Sequence, residues 1–169
     1  MEHLQTHRSF VSYIDRSREY YAAQGYPKAY AWPRHDDVPF APLQKPLSEC
    51  RVGLVTTAGK PQPEGRIDTL KLMSLREPYA EPIDPPPTRL FTDDLGWDKE
   101  ATHTDDVDSF LPINRVAEYA ARGRIGSVSP RFYGVPTDYS QHRTSQRYAP
   151  EILKWCLEDG VDAVLLSAL

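Results

Sequence analysis

The sequence has no apolar run approaching the ~20 residues needed to cross a bilayer, so a membrane-spanning helix is not expected. Its first residues, Met1-Glu2-His3-Leu4-Gln5, lack the basic and then apolar regions of a secretory signal. Cysteine is scarce: only Cys50 and Cys156 occur, without metal-type spacing. These absences predict a cytoplasmic protein without a disulfide. Positive charge is not in excess either. Lys and Arg number 20 against 24 Asp and Glu, a formal net charge of −4. Nothing in that balance attracts phosphate backbones or anionic lipid, so neither nucleic acid nor membrane is an expected partner. Neither a Gly-x-Gly-x-x-Gly nor a Gly-x-x-x-x-Gly-Lys-Ser/Thr loop is present, and the sequence names no cofactor.

What it has in excess is proline. The 16 prolines are roughly twice the average usage of ~5%. They cluster at Pro27–Pro46 and Pro61–Pro87. Proline fixes φ and has no backbone donor, so these stretches read as extended connections. Tyr30, Trp32, Phe40 and Leu43 give the first stretch apolar anchors, which favours an ordered wrapping segment over disorder. The 169 residues suit a single domain, with residues 1–48 as an N-terminal helix plus a Pro-rich extended arm.

Residues 8–24 read as a helix through Phe10, Val11, Ile14 and Tyr21, stopped by Gly25. Tyr13, Tyr20 and Tyr21 are expected to dock that helix onto the domain or a neighbour; without a basic groove, stacking on bases is a weak alternative. Arg51–Thr57 is a buried strand closed by Ala58-Gly59. Residues 66–76 are a short helix or a loop. Arg89–Thr92 is a possible second strand and Ile125–Ser129 a weak third, followed by Phe132-Tyr133-Gly134 at a sheet end. Pro112 opens a helix with Ile113, Val116, Ala117 and Ala120 inward and Gly123 as its stop. Pro150 opens another, with Ile152, Leu153, Cys156 and Leu157 inward, ended by Gly160 and followed by a buried strand over 161–166.

Alternating strands and helices predict an α/β fold: a mostly parallel sheet with flanking helices in Rossmann-like layers. Such a sheet is thin, has open edges, and closes on an apolar strand with no helix after it. Association with another chain, like or unlike, would cover it.

Several residues are candidates for chemistry. Thr56, Thr57 and Gly59 sit at the carboxyl end of the first strand, where ligands bind in open α/β sheets; the plainer reading is a strand-turn cap. His103, Asp105, Asp106 and Asp108 suit a general base or a pocket lining better than a metal site, or else cap the helix after Pro112. Arg115 offers a fork for a substrate carboxylate, and surface arginines are common. Tyr133 either closes over a ligand or packs inside. Cys156 reads as an inert core thiol, and Cys50 as an exposed one with nothing to lower its pKa.

Three segments, taken in order, resemble the glycine, sarcosine, betaine and D-proline reductase B-subunit family. They are Val38–Gly59 with its Val55-Thr56-Thr57-Ala58-Gly59 strand end, His103–Gly126, and Asp159–Leu166. The resemblance implies reductive cleavage of a carbon–heteroatom bond in a small amino-acid-like substrate. In that chemistry a selenocysteine or cysteine attacks and is later reduced by a dithiol. The family places this nucleophile a few residues after the last quoted strand, where this sequence has only Ser167-Ala168-Leu169. The resemblance therefore implies a subunit of a heteromeric enzyme whose companion chain carries the Cys or Sec. In that case His103 and Asp106 would act in catalysis, and Thr56, Thr57, Gly59, Arg115 and Tyr133 would bind substrate. The alternative is a non-catalytic small-ligand-binding or scaffold subunit.

Overall fold

The structure, a computed structural model, describes residues 12–26, 28, 36–37, 41–59, 77–92, 98, 100–101, 103–137 and 140–169. They belong to two compact units, Met1–Pro39 and Phe40–Leu169. In the first, helix α1 (Tyr13–Ala23) starts at Ser12. The Ser12 hydroxyl accepts the Asp15 amide at 3.2 Å and donates to the Asp15 carboxylate at 2.6 Å. That local pair satisfies one of the free amides every helix start leaves. The helix ends ahead of Gly25, as its sequence predicts; residues 8–11 lie outside the described residues. Tyr13, Tyr20 and Tyr21 are exposed. Tyr20 and Tyr21 meet edge to face, as do Tyr21 and Tyr26.

The second unit is a mixed α/β fold built on a mostly parallel sheet. Its strands are β1 (Arg51–Thr56), β2 (Tyr79–Pro82), β3 (Ser127–Val128), β4 (Arg131–Gly134) and β5 (Ala163–Ser167). The helices are α2 (Ile113–Ala121), α3 (Gln141–Arg143) and α4 (Ala149–Glu158), with 3-10 turns at Leu47–Glu49 and Val107–Ser109. β1 is central. β5 runs parallel along one side of it, from Val52↔Ala163 to Thr56↔Ser167. β3 and β4 share the other side, pairing in parallel with its first and last residues. Pro130 has no amide to give, and it breaks what would otherwise be one strand. β2 pairs antiparallel with β4 and forms the outer edge there.

Successive residues of a strand face opposite sides, and β1 buries both. Leu54 joins Phe132, Leu90, Val107, Phe110, Leu111 and Ile113 in one core. Val55 joins Tyr133, Ile152 and Cys156 in the other, beneath α4. Each fully buried leucine contributes about 2–3 kcal/mol relative to exposure. A Cβ on Gly126 would lie 2.6 Å from the Glu49 carbonyl carbon, so only glycine lets the chain entering β3 cross behind the start of β1. Gly123 and Gly160 each follow a helix with φ +66°, the left-handed geometry that ends a helix cheaply for glycine.

Several sequence expectations need correcting. The second strand is Tyr79–Pro82, whereas Phe91 makes only an isolated bridge to Gly59. Proline is tolerated at an edge strand, and there the Pro-rich stretch pairs after all. Phe132-Tyr133-Gly134 lies inside β4 rather than beyond a strand. Cys50 is fully buried, and its thiol points at the Lys45 and Pro46 carbonyls. Helical turns begin at Gln141, before Pro150; a π turn over Thr144–Tyr148 joins α3 to α4, the kind of irregularity a missing proline N–H provokes. In α4, Ile152 and Cys156 face inward but Leu153 and Leu157 are exposed. β5 forms where expected, yet most of it is exposed. Leu43 is exposed too, while Tyr30, Trp32, Phe40 and the 66–76 segment lie outside the described residues. No helix among the described residues is long and apolar enough to cross a membrane.

Candidate functional site

The carboxyl ends of β1, β4 and β5 come together, which is where open parallel sheets present ligand crevices. Hydrogen bonds knit this end. The Thr57 hydroxyl accepts the Leu169 amide at 2.9 Å and donates to the Leu169 carbonyl at 3.2 Å. The Thr137 hydroxyl donates to the Thr57 carbonyl at 3.2 Å, and the Val135 amide donates to the Thr56 carbonyl at 2.8 Å. Tyr79 donates its phenol to the Ala58 carbonyl at 2.5 Å, and burial pushes that phenol's pKa up. Gly59 exchanges two backbone hydrogen bonds with Phe91.

Thr57 and Gly59 lie in the turn that leaves the carboxyl end of β1. Thr56 is fully buried, and its hydroxyl accepts the Ala58 amide at 3.1 Å. It shapes the turn from inside. Thr57 holds the segment after β5 in place, with both functions of its hydroxyl already used.

The His103–Asp108 segment is anchored on the same face of the sheet. Val107 packs into the core that contains Ala58, with Leu169 against it. His103 itself is 73% exposed, and its Nδ1 lies 3.6 Å from the Asp105 carboxylate. Asp106 accepts the Asp108 amide at 3.0 Å and so caps the 3-10 turn. Asp108 accepts the Asn114 amide at 2.9 Å, at the start of α2, where a carboxylate meets the positive end of the helix dipole. Arg115 pairs with Glu118 at 2.8 Å and lies 3.6 Å from Asp108. Among the described residues, no hydrogen bond or ion pair links His103, Asp106 or Arg115 to Thr57.

Tyr133 lies elsewhere. It is fully buried under α4, with its phenol donating to Asp159 at 2.7 Å and 2.9 Å from the Ser129 hydroxyl. Its ring is the packed one of the two alternatives. Arg131 grips the same carboxylate with Nε at 2.8 Å and Nη2 at 2.9 Å. That guanidinium holds Asp159 below the usual carboxylate range, and burial pushes the Tyr133 phenol up. Burial likewise raises the Cys156 thiol, which makes it a poor nucleophile. A second cluster lies at the start of β1, where Asp162 accepts the Arg51 amide at 2.7 Å and pairs with Lys45 at 2.8 Å. The Lys45 hydrogen bond lowers the Asp162 pKa. The sequence gives Asp159 and Asp162 no role of their own beyond the Asp159–Leu166 segment that carries the family resemblance. Two acids flanking a glycine between helix and strand were the available signal.

Comparison with known proteins agrees with the resemblance read from the sequence. The family described as glycine/sarcosine/betaine reductase selenoprotein B matches residues 19–169. The glycine reductase complex component B subunit gamma of Peptoclostridium acidaminophilum is 27% identical over 154 residues, which are 85% of this chain and 33% of that protein. The subunit of the same name from Symbiobacterium thermophilum is 28% identical over 147 residues, 85% of this chain and 34% of that protein. This chain thus spans about a third of the length of these relatives. No solved structure matches it. With a match that runs through nearly the whole sequence, the chain belongs to the glycine/sarcosine/betaine reductase selenoprotein B family.

Proposed function

We propose that this chain is a subunit of a cytoplasmic heteromeric reductase that cleaves a carbon–heteroatom bond in a small amino-acid-like substrate. The nucleophilic cysteine or selenocysteine comes from a companion polypeptide, outside these 169 residues. The observation that carries this reading is the burial of both cysteines in a chain of this family. A redox nucleophile must be accessible and ionisable. Cys50 is sealed against backbone carbonyls, and Cys156 lies in the core with its pKa raised. The relatives are named as subunits of component B of a glycine reductase complex, which supports a multi-chain assembly.

In this reading Rossmann-like layers present the carboxyl end of β1 to the substrate. Gly59 leaves room there, and Thr57 positions the segment that follows β5. His103 presents an exposed imidazole to a bound molecule, Asp106 orders the loop that carries it, and Arg115 offers charge for a carboxylate. Two electrons from an external dithiol, oxidised to a disulfide, would reset the nucleophile.

The test is native mass spectrometry of the protein isolated from its own source under reducing conditions, followed by an assay of substrate-dependent dithiol oxidation. A companion containing Cys or Sec, with turnover that falls at least about tenfold in His103→Ala while the assembly mass is unchanged, supports the proposal. A monomer or homo-oligomer without such a companion overturns it. A binding or scaffold subunit is the second reading. It is favoured by the Thr57 hydroxyl and the Arg115 guanidinium already having partners within the chain.

A further inference from the structure

We infer that Tyr79 is a positioning residue for the turn that leaves β1. It reaches across β4 at Gly134 and fixes the Ala58–Gly59 peptide, which the proposed site presents to its substrate. The inference deepens the reductase reading above and rests on it.

β4 lies between β2 and β1, so a side chain of β2 meets the turn after β1 only by crossing a strand. Register shows how Tyr79 does so. Gly134 pairs with Thr56 on one side and with Tyr79 on the other, which sets the three residues in one row across the sheet. Ala58 follows two residues after Thr56 and shares the core that Tyr79 packs against. A Cβ built on Gly134 would overlap the Tyr79 ring, so the ring lies against bare backbone there. Gly134 is not among the glycines with positive φ. Its missing side chain, rather than its backbone freedom, is what the fold uses. Phe132, two residues earlier and therefore on the same face, meets the ring edge to face with centroids 6.1 Å apart.

The ring fills this seat, and the hydroxyl reaches beyond it. It donates to the Ala58 carbonyl at 2.5 Å. From the other side of the same peptide unit, the Gly59 amide donates to the Phe91 carbonyl at 2.6 Å, and the Phe91 amide donates back to the Gly59 carbonyl at 2.9 Å. Phenol, peptide and Phe91 carbonyl thus form a chain of hydrogen bonds in which each polarises the next. A phenylalanine at this position would pack against Gly134 and Phe132 equally well. What the tyrosine adds is the bond to Ala58, and with it a fixed orientation for one peptide plane. No proton or electron passes through Tyr79, so its loss weakens binding and leaves the chemical step unchanged.

The test compares Tyr79→Phe with the parent in the native assembly. Tyr119→Phe, which removes the same atom from an exposed tyrosine on α2, is the control. The readouts are amide hydrogen exchange and steady-state dithiol oxidation with glycine, the simplest amino acid, as the probe. In Tyr79→Phe the Gly59 and Phe91 amides should exchange about fivefold to tenfold faster, with the β1 amides unchanged. KM should rise about fivefold or more while kcat stays within about twofold. Tyr119→Phe should alter neither. Replacing Tyr79 with 3-fluorotyrosine, a more acidic phenol and so a stronger donor, should keep the parent's exchange and KM.

Unchanged exchange at Gly59 and Phe91 in Tyr79→Phe overturns the inference, because the hydroxyl then does not hold the turn. Faster exchange with an unchanged KM also overturns it, since the tether then serves no substrate. Faster exchange throughout β1, with kcat falling alongside, overturns it in favour of a purely structural role. An unaltered assembly that oxidises no dithiol fails the reductase reading instead, and the exchange of Gly59 in the same sample still decides whether Tyr79 fixes the peptide.

Discussion

Asp159→Ala removes a carboxylate that three donors share. Arg131 contributes Nε and Nη2 at 2.8 and 2.9 Å, and Tyr133 contributes its phenol at 2.7 Å. The Asp159 side chain is 10% exposed and the Arg131 side chain 30%. Hydrogen bonds to charged groups are worth about 1.5–3 kcal/mol each, and stripping one partner from a buried pair costs about 3–5 kcal/mol. Arg131 is exposed enough to recover part of its hydration, and Tyr133 keeps Ser129. The expected loss is therefore about 2–3 kcal/mol. For a chain of this size it lowers Tm by roughly 5–10 °C. Asp159→Asn keeps the shape and one acceptor, and should lose about half as much.

The pH dependence has a definite sign. Arg131 depresses the folded-state pKa of Asp159, so the unfolded chain takes up the proton first as pH falls. The stabilisation is complete above the unfolded carboxylate value near 4 and is lost as pH drops through the folded one. Urea unfolding from pH 7 to pH 3 measures both effects, and Asp159→Asn should flatten the acid limb. An Asp159→Ala protein within about 0.5 kcal/mol of the parent at pH 7 would refute the reasoning, because the network would then be no better than a surface ion pair.

Gly126→Ala should cost about 3 kcal/mol or more, since its Cβ would meet backbone 2.6 Å away that cannot yield; chemical denaturation, or loss of soluble protein, reads it. Both cysteines should resist a thiol reagent at pH 8 in the folded chain and react together on unfolding, because both are buried and the Cys156 thiol is raised. Reaction of either thiol within seconds in the native protein would contradict that placement. Thr57→Val should cost about 1 kcal/mol and speed amide exchange at Leu169 while leaving exchange in β1 unchanged.

Features set by neighbours in sequence are legible in the sequence. Gly123 and Gly160 end their helices as expected, and the apolar run at Arg51–Thr56 is the central strand. What eluded the sequence is what depends on neighbours. Ile152, Leu153, Cys156 and Leu157 contain two i,i+4 pairs, and spacing alone does not say which pair turns inward. The apolar run in β5 is the same whether its outer edge is covered or open. Pro82 marked its stretch as non-strand, though an outer strand accepts it. The turn that holds Thr57 and Gly59 was legible because a strand end precedes a glycine. The Arg131–Asp159 pair joins residues 28 apart, a distance over which no local sequence pattern links them.

The central position of β1 also bears on how the chain is made. Ser167 of its last partner reaches Val55 across 112 residues, and β3 and β4 both come after residue 126. During synthesis β1 emerges first and waits, apolar on both faces, until residues 127–167 have followed it. Pairings that close such long loops are slow to form, and an unpaired strand of this kind is a target for aggregation in the meantime. The pairing of β1 with these strands is therefore slow, and the yield of folded chain should depend on the chaperones present while β1 waits.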